Sequence, residues 1–557
     1  MKKLLKSLFA LAIVATTAFS LTACGGPSRV KRSTFVNSLS QVRKSRGHKA
    51  DLPSTGKQKV LVIPVQFSDY PCSSTKLAKY GGCTGLRDDI RKTMFGKSEE
   101  TNWESLSSFY KKSSYGKLNI TGKVTDWFTP KLSAHQYALQ MEGNNTGISD
   151  RILDEAVEWY KSKYNDIDSF DQNKDGYIDS VYLIYTVPKR SQILPTSTGI
   201  DTTDLFWAYT FWSNSHNDIN LDTDKDILPV ASTYFWASVD FMYEDKMLKD
   251  GKYVECKDKN GDWLPDAHTF IHESGHIMGL PDYYTYGPQN GIPDYGALGG
   301  IDMMDNNVGD HNAYSKMIYG WTEPYVVSNE TVKGDSTTLT IKPFYSSGDF
   351  ILVNANWDGS MFSEYLLLEY YQPEGVNKYD AEHQFSGSYP QVFQKPGVKV
   401  YHVDSRLAGF DLASGNVTVA SSGIFVDFID EISNRFSYCD IANDNSVTRS
   451  AIPEYKLIEL LEPSGECSFK QQNDKGQYIT PYATDASLFH EGDSFGYEGK
   501  AYADYKLHTG QNIITVDGVP TVDKNGYEGD ELGFKFVIEK MDKNGVTIKF
   551  EKTASAY

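Results

Sequence analysis

Basic residues are in the minority in this chain of 557 residues. Its 55 lysines and arginines stand against 73 aspartates and glutamates, which gives a net charge of -18 at pH 7. Nucleic-acid binding relies on clustered basic side chains that neutralise phosphates. The composition therefore argues against a nucleic-acid partner, and it leaves the oligomeric state open.

Cysteine is also scarce, with six residues in the whole chain. In an oxidising compartment cysteines are expected to pair. Cys72 and Cys83 are one short-range pair, and Cys439 and Cys467 are another. Cys256 remains outside both pairs, and we expect a buried thiol there. In a host that lives without oxygen, none of these bridges would form.

Long apolar runs are absent beyond residue 23, where no stretch approaches the roughly 20 apolar residues of a membrane-spanning helix. Residues 1–23 start with two lysines and continue with a mainly apolar run, which is typical of an export signal. The run Leu-Thr-Ala-Cys at 21–24 resembles a bacterial lipobox. It predicts cleavage before Cys24 and a lipid anchor at the extracellular face of the bacterial cytoplasmic membrane. The alternative is an ordinary secretory signal and a secreted protein.

The anchor would be followed by a flexible linker over residues 24–57. From residue 27 this segment is rich in serine and in basic residues, with Asp51 as its one acidic residue. Such a composition favours a flexible tether. Its charge would attract anionic lipid headgroups, although a short basic stretch is also compatible with a solvated linker.

Histidine is rare as well, with 11 residues, yet two of them lie in an HExxHxxGxxD run at 272–282. His272 and His276 are four residues apart, which places them on one face of a helix where both can bind one ion. Glu273 points further round the helix and can take a proton from a zinc-activated water. Gly279 and Pro281 end the helix, so that Asp282 can return as the third zinc ligand.

Several neighbouring residues compete for supporting roles. His268 lies on the same helix face, one turn before His272, but it is too far from His276 to share an ion with it comfortably. We interpret it as a structural residue or as support for a ligand. Tyr295, His311 and Tyr314 are candidates for stabilising the oxyanion, and the spacing selects none of them.

A second ion site is indicated by the run DQNKDGYID at 171–179. Its pattern is that of an EF-hand-type calcium loop, with a glycine at the sharp turn. Position 12 of that loop would be Tyr182, so the bidentate ligand would have to come from elsewhere, for example Asp166 or Asp168. An ordinary Asx-rich turn is the alternative. The predicted calcium ligands are Asp171, Asn173, Asp175, the Tyr177 carbonyl and Asp179.

Looser acidic runs recur at 222–226 and 258–266. The first has three aspartates at alternate positions. The second has oxygen-bearing side chains at 258, 260, 262 and 266 but lacks the turn glycine of a calcium loop. Both are weaker calcium candidates than the run at 171–179.

Hydrophobic periodicity divides the chain into two parts. Strand and helix patterns alternate from residue 59, with strands at 60–67, 117–125 and 177–185 and helices at 103–112 and around 152–160. After about residue 325 strand patterns dominate, at 337–344, 350–357, 364–371, 398–403 and 456–461. A final hairpin is predicted from 534–540 and 546–551, joined by a turn that contains Asn-Gly. A chain of this length needs two or three domains.

These residues together resemble the immune inhibitor A-like metallopeptidases, secreted bacterial zinc endopeptidases related to the metzincins. The likeness covers about residues 58–405 and includes the segments 108–118, 175–179, 303–305, 319–321, 364–369 and 401–404. It implies that His272, His276 and Asp282 bind zinc and that Glu273 is the catalytic base. It also implies a methionine turn below the zinc, with Met304 favoured over Met303. Residues 407–450 have no counterpart in the family.

The resulting expectation is an α+β zincin-like (metzincin-like) catalytic domain at 58–325 and a mostly β, sandwich-like region at 326–557. The function expected is a membrane-anchored zinc endopeptidase that acts on protein or peptide substrates, with catalytic Zn²⁺ and structural Ca²⁺. The competing hypothesis is a surface adhesin or glycan- or protein-binding lipoprotein with a vestigial peptidase domain. The high tyrosine content, 37 residues, is compatible with such a binding surface, although tyrosines also fill β-sheet cores.

Overall fold

The computed structural model describes most of the chain, including two parts of the predicted linker. The described residues are 30–35, 52–141, 144–213, 215–216, 219–247, 251–284, 296–386, 389–406, 408–411, 417–419, 435–438, 456–470, 473, 475, 481–509, 511, 513–516, 519–522, 526 and 529–553. The export signal and Cys24 lie outside them. Within these ranges, no helix combines the length and apolar character that a membrane crossing requires.

The first half of the chain is built on a five-stranded sheet, named here the N-terminal sheet. Four of its strands are parallel, and the edge strand Tyr209–Trp212 runs antiparallel to its neighbour. The three inner strands are largely buried apolar runs of the kind that parallel sheets covered on both faces require. Their order across the sheet is Leu118–Val124, Gly56–Val65, Val181–Tyr185, Thr233–Ser238 and Tyr209–Trp212.

Helices are concentrated in the first 320 residues. The predicted helical face at 152–160 is confirmed, because the helix Asn145–Lys163 buries Ile152, Ala156 and Tyr160. The helix predicted at 103–112 begins slightly later, because Ser105 caps it by accepting a hydrogen bond from the Ser108 amide. The α-helices of the described residues are Gly82–Phe95, Leu106–Ser113, Ala134–Ala138, Asn145–Lys163, His268–Ile277, Met303–Asn306, Ala313–Ile318, Phe344–Ser347 and Asn377–Glu382.

The second half of the chain is rich in β-structure. A five-stranded sheet, the central sheet, has the order Tyr325–Val327, Phe350–Val353, Glu364–Tyr371, Gly397–Asp404 and Ile458–Leu461. A four-stranded antiparallel sheet, the terminal sheet, has the order Ser336–Ile341, Gly545–Lys552, Phe534–Asp542 and Ser494–Phe495. The predicted final hairpin is confirmed, since Asp542 pairs with Gly545 across the two-residue turn at 543–544.

Smaller strand pairs complete the described structure. Within residues 407–450, three short antiparallel strands form a sheet of their own. Those strands are Ala408–Asp411, Val417–Val419 and Arg435–Tyr438. The remaining pairs are Tyr177–Ile178 with Val230–Ala231, Lys246–Met247 with Tyr253–Val254, Lys506–Leu507 with Asp530–Glu531, and Ile513–Val516 with Val519–Val522.

The central sheet is covered on both faces. All eight residues of its strand Glu364–Tyr371 are buried. Leu366 and Leu368 pack in one core with residues of the terminal sheet, which is a sandwich arrangement. Tyr365 and Leu367 point to the other side and pack in the core that also contains the helix His268–Ile277. One hydrophobic core therefore continues across residue 325, and the predicted domain limits at 57, 325 and 326 stay predictions.

Two cysteine expectations fall within the described residues. Cys72 and Cys83 form the predicted disulfide, with their Cα atoms 4.8 Å apart. Cys256 is buried, as expected. The proposed pairing of Cys439 with Cys467 involves a residue outside the described ranges.

A buried charge cluster connects the helix His268–Ile277 to the β-rich half. His268 Nδ1 lies 2.8 Å from Asp266 Oδ1, and His268 Nε2 lies 3.2 Å from Asp380 Oδ1. The imidazole is stacked between Trp103 and Phe385, each with its ring centroid 4.0 Å away. Burial alone would lower the pKa of His268, but the two carboxylates outweigh it and raise the pKa to about 10. His268 is therefore a structural cation.

This cluster makes stability depend on pH. Because the folded-state pKa is raised, the stabilisation is complete below the unfolded value of 6.5 and is lost as the pH rises through about 10. We expect Asp380→Asn to lower the free energy of unfolding by about 3 kcal/mol near pH 6, as for a broken buried ion pair, and by much less near pH 10.5. Urea unfolding at the two pH values measures the difference. Glu382→Gln is the control, because Glu382 is exposed and lies in the same helix as Asp380, Asn377–Glu382. Equal losses for Asp380→Asn at both pH values would contradict a charged His268.

Candidate active site

The HExxH motif lies on a short helix in the interior. Nine of the ten residues of His268–Ile277 are buried. Gly279 ends the helix with a φ of +105°, a left-handed conformation that glycine adopts without strain. Its amide donates to the His276 carbonyl, and the Leu280 amide donates to the Gly275 carbonyl. The chain reverses at this turn, and Asp282 returns towards the two histidines.

Three side-chain atoms converge at the end of this turn. His272 Nε2 and His276 Nε2 are 3.2 Å apart, and Asp282 Oδ1 lies 3.0 Å from the first and 3.3 Å from the second. Ligands at about 2.0–2.1 Å from a tetrahedral zinc ion would be about 3.3 Å from one another. The three predicted ligands therefore fit a zinc ion without rearrangement.

The hydrogen bonds of the two imidazoles select the nitrogen that can bind metal. His272 Nδ1 lies 2.7 Å from the Met303 carbonyl, and His276 Nδ1 lies 2.7 Å from the Leu280 carbonyl. A carbonyl only accepts, so in the neutral rings each Nδ1 carries the hydrogen and each Nε2 presents a lone pair. Two lone pairs and a carboxylate then face one point, where a cation satisfies all three.

The electrostatics of the cluster favour positive charge. Burial alone would raise the pKa of Asp282, but the two histidines hold it well below its usual range. For His276, burial acts to lower the pKa, and the Asp282 carboxylate nevertheless raises it to about 10. The cluster therefore holds a proton or a metal ion strongly.

Glu273 is placed beside the cluster with one carboxylate oxygen unused. Its Oε2 is buried, and no described residue forms a hydrogen bond with it. Burial raises the pKa of Glu273 above its ordinary value. The backbone carbonyl of Glu273 accepts a hydrogen bond from Thr210 in the antiparallel edge strand of the N-terminal sheet. A buried carboxylate with a raised pKa is suited to accept and return a proton.

The short helix Met303–Asn306 contacts the HExxH helix. A Cβ placed on Gly275 would lie 2.5 Å from the sulfur of Met304, so that side chain packs directly against the HExxH helix. Met303 contributes its carbonyl to His272 instead. Tyr319 donates its hydroxyl to the Gly275 carbonyl at 2.8 Å. Met304 therefore packs against the HExxH helix, and its role as the turn methionine stays a prediction.

A cleft of about 1110 Å³ opens beside the cluster, and both His272 and Glu273 lie in its wall. Asp305 also lines it, and burial raises the pKa of Asp305 to about 7. A cleft of this size accommodates a peptide segment rather than a small metabolite alone. Its aromatic lining consists of Trp207, Phe241, Tyr284, Tyr389 and Tyr482.

Of the three residues considered for stabilising the oxyanion, the two that the structure describes do not line the cleft. His311 is buried among Phe109, Tyr110, Tyr319 and Trp321 and is not part of the cleft lining. Tyr314 is buried and is absent from the lining as well, and Tyr295 lies outside the described residues. Sequence reasoning missed Tyr284, which lines the cleft and hydrogen-bonds Asp282. Its position two residues after a ligand, on the same side of an extended chain, was the available signal.

The predicted calcium run forms a compact loop. Gly176 has a φ of +86°, and its amide donates to Asp171 at 3.0 Å. Asp175 accepts from the Tyr177 amide at 2.9 Å, and Asn173 accepts from the Asp175 amide. Asp179 accepts from Gln172 instead, and burial raises the pKa of Asp179 to about 6.

The other oxygen candidates have partners elsewhere. Asp166 is held by Lys123 and by the Tyr160 hydroxyl. Asp258 accepts amides of its own exposed loop. Among the described residues, two sets of three His, Cys, Asp or Glu side chains bring their ligand atoms within 4.8 Å of one another. Asp171, Asp175 and Asp179 do not form such a set. A calcium ion in this loop would therefore need carbonyl, amide and water oxygens as further ligands.

Comparison with known proteins agrees with the site. Residues 48–295 match the family described as immune inhibitor A peptidase M6, catalytic domain. No curated protein matches the chain. The matched segment contains the HExxH helix and all three converging donors. Residues 48–295 are therefore similar to the catalytic domain of the immune inhibitor A peptidases, and this similarity supports a metallopeptidase.

Proposed function

We propose that this protein is a zinc endopeptidase that hydrolyses peptide bonds in extracellular proteins. The observation that carries the proposal is the convergence of His272, His276 and Asp282 within 3.0 to 3.3 Å, beside the unused Glu273 carboxylate oxygen. Two imidazoles and one carboxylate are a ligand set suited to zinc, and a catalytic zinc keeps its fourth position open. The open cleft argues for an endopeptidase, because a chain can enter without its terminus.

The residues divide the chemistry between them. His272, His276 and Asp282 would hold the ion, which when bound supplies Lewis-acid polarisation of the scissile carbonyl and acidifies a water molecule. Glu273 accepts the proton of the attacking water at its carboxylate and delivers it to the leaving amine nitrogen. Met303 and Leu280 hold the two imidazoles in the orientation that binding requires, through their carbonyls. Tyr284 is suited to donate its hydroxyl to the oxyanion, because it lines the cleft next to Asp282.

Replacing Glu273 by Gln should separate metal binding from catalysis. We expect Glu273→Gln to lower casein hydrolysis by residues 25–557 about 10²- to 10⁴-fold, since it removes the general base, while zinc content stays at the wild-type level. Initial rates and zinc analysis on the same preparations measure both quantities. Glu158→Gln, exposed on another helix, should leave the rate unchanged. Equal rates in wild type and Glu273→Gln would assign the activity to another site. Inactivity of both proteins would favour a narrow-specificity enzyme, an unactivated form or the binding-protein hypothesis.

We further propose that the loop at 171–179 binds calcium. Asp171, Asn173 and Asp175 supply oxygens, and the Tyr177 carbonyl and Asp179 complete the set proposed from the sequence. Support comes from the turn at Gly176, whose amide orients Asp171. The site would stabilise the connection between the helix Asn145–Lys163 and the strand Val181–Tyr185.

Calcium should therefore raise the thermal unfolding midpoint of the wild type, because an ion that binds the folded state alone stabilises it. Asp171→Asn should reduce that increase at least by half, since it removes one charge from the ligand set. Differential scanning fluorimetry with and without calcium gives the measurement. Asp201→Asn, in an exposed turn, is the control. An identical calcium response in Asp171→Asn and wild type would refute the assignment.

The location of the enzyme is proposed from its first residues. The run at 21–24 supports lipidation of Cys24 after removal of residues 1–23, which would hold the protein at the extracellular face of the bacterial membrane. The substrates would then be proteins or peptides near the cell surface. The flexible linker predicted at 24–57 is wrong in part, because Val30 is buried, Arg32 pairs with Asp349 and the Ser33 amide donates to the Pro324 carbonyl.

Metabolic labelling with a fatty acid tests the anchor. Wild-type protein expressed in a bacterium should incorporate the label and sediment with membranes, because its thiol at position 24 carries lipid. Cys24→Ser should do neither, and Cys467→Ser should behave as wild type. Labelling that persists in Cys24→Ser would place the lipid elsewhere, and an unlabelled wild type would favour the secreted form.

A further inference from the structure

One face of the central sheet carries an unusual set of polar side chains. The antiparallel register places Glu364 opposite Asp404, and it places His402 opposite Glu459. Directly paired residues, and residues two apart, lie on the same face of a sheet. These four side chains therefore share one face at the edge of the β-sandwich core.

A histidine from a distant segment completes the set. His508 follows the short strand Lys506–Leu507 and reaches the same point. Glu364 Oε1 lies 2.8 Å from His402 Nε2 and 3.5 Å from His508 Nδ1. Glu364, His402 and His508 each place one ligand atom within 4.8 Å of the others. The two distances to Glu364 bracket the separation of about 3.3 Å between ligands of a tetrahedral zinc ion.

The carboxylate of Glu364 is held rigidly in this position. Its Oε2 accepts hydrogen bonds from the Thr509 amide at 2.7 Å and the Thr509 hydroxyl at 2.6 Å. Its Oε1 accepts the His508 amide at 2.6 Å. A carboxylate oxygen can accept two bonds, so Oε1 retains one further lone pair for a cation. Such outer hydrogen bonds orient metal ligands in known sites.

Negative charge is concentrated at this face. Glu364 and Asp404 are two buried carboxylates, and Arg406 lies beside both of them. Its guanidinium is committed to Asp404 through two hydrogen bonds of 2.8 Å and lies 3.9 Å from Glu364. Glu364 and Asp404 are buried, and buried carboxylates need compensating positive charge. A cation bound between Glu364 and the two histidines would supply it.

We propose that Glu364, His402 and His508 form a second metal site that binds a divalent transition metal ion of the zinc type. Two imidazoles and one carboxylate select such an ion over calcium or magnesium, which prefer oxygen ligands. Glu364 and His402 are buried, whereas the side chain of His508 is 23% exposed and gives the ion a route from solvent.

The site would have a structural role. It shares no residue with the peptidase centre, and it joins two strands of the central sheet to the segment at 506–509. An ion there would hold the terminal segment against the sheet, since a metal bound by the folded state alone stabilises that state. Protonation of His402 and His508 is the competing source of positive charge.

Zinc stoichiometry of the full chain separates the two possibilities. Protein loaded with excess Zn²⁺ and passed through gel filtration should retain two equivalents by elemental analysis. His508→Asn should retain one, and His490→Asn, which changes a histidine of the same region outside the cluster, should retain two. A wild-type protein that holds a single equivalent which His508→Asn also holds, or a folded His508→Asn that still holds two, would overturn the proposal.

A second variant keeps this test independent of the peptidase assignment. The double variant His272→Asn/His276→Asn should retain one equivalent, which disappears when His508→Asn is added. If the double variant keeps two equivalents and His508→Asn keeps one, the second site stands and the peptidase ligands are wrong. If the double variant retains none, the second site is refuted, whether or not His508→Asn folds.

Discussion

Burial of the polar helix His268–Ile277 is the constraint on which the rest of the structure depends. An uncompensated buried polar group is destabilising, so the surroundings provide partners for the imidazoles of this helix and for several of its backbone carbonyls. Tyr110, Thr210 and Tyr319 donate hydroxyl hydrogen bonds to the carbonyls of Ile271, Glu273 and Gly275. These donors come from a helix, an edge strand and the end of the helix Ala313–Ile318. The helix is therefore held from several sides, and Glu273 keeps an unused oxygen in a rigid frame.

The central sheet extends this frame into the second half of the chain. Its two faces pack against different partners, the helix-containing core on one side and the terminal sheet on the other. Asp380, which follows the strand Glu364–Tyr371, reaches His268 and also accepts the Gly309 amide at 2.7 Å. The β-rich half thus contributes directly to the position of the HExxH helix. Separate folding of residues 58–325 would expose a large apolar surface of this shared core.

The two metal-type clusters show how different secondary structures bring ligands together. In the peptidase centre, two ligands are one helical turn apart and the third returns through a left-handed glycine. In the second cluster, Glu364 and His402 are diagonal neighbours across paired strands, and His508 arrives 144 residues after Glu364. Both sets combine two imidazoles with one carboxylate. The first opens into a cleft, and the second lies between strands of the central sheet and the segment at 506–509, which agrees with a catalytic and a structural role respectively.

Local chemistry explains what could be predicted from the sequence. The spacing of a few residues predicts the helical pair His272 and His276, the return of Asp282 after Gly279 and the Asn-Gly hairpin. It also predicts the separate role of Glu273, and the strand patterns predict the β-rich character of the second half. Long-range packing, in contrast, brings His268 to Asp380, places Tyr284 rather than His311 or Tyr314 at the cleft, and brings Glu364, His402 and His508 together. These contacts join residues far apart in the chain, and their formation depends on how sheets and helices pack, which no local pattern encodes.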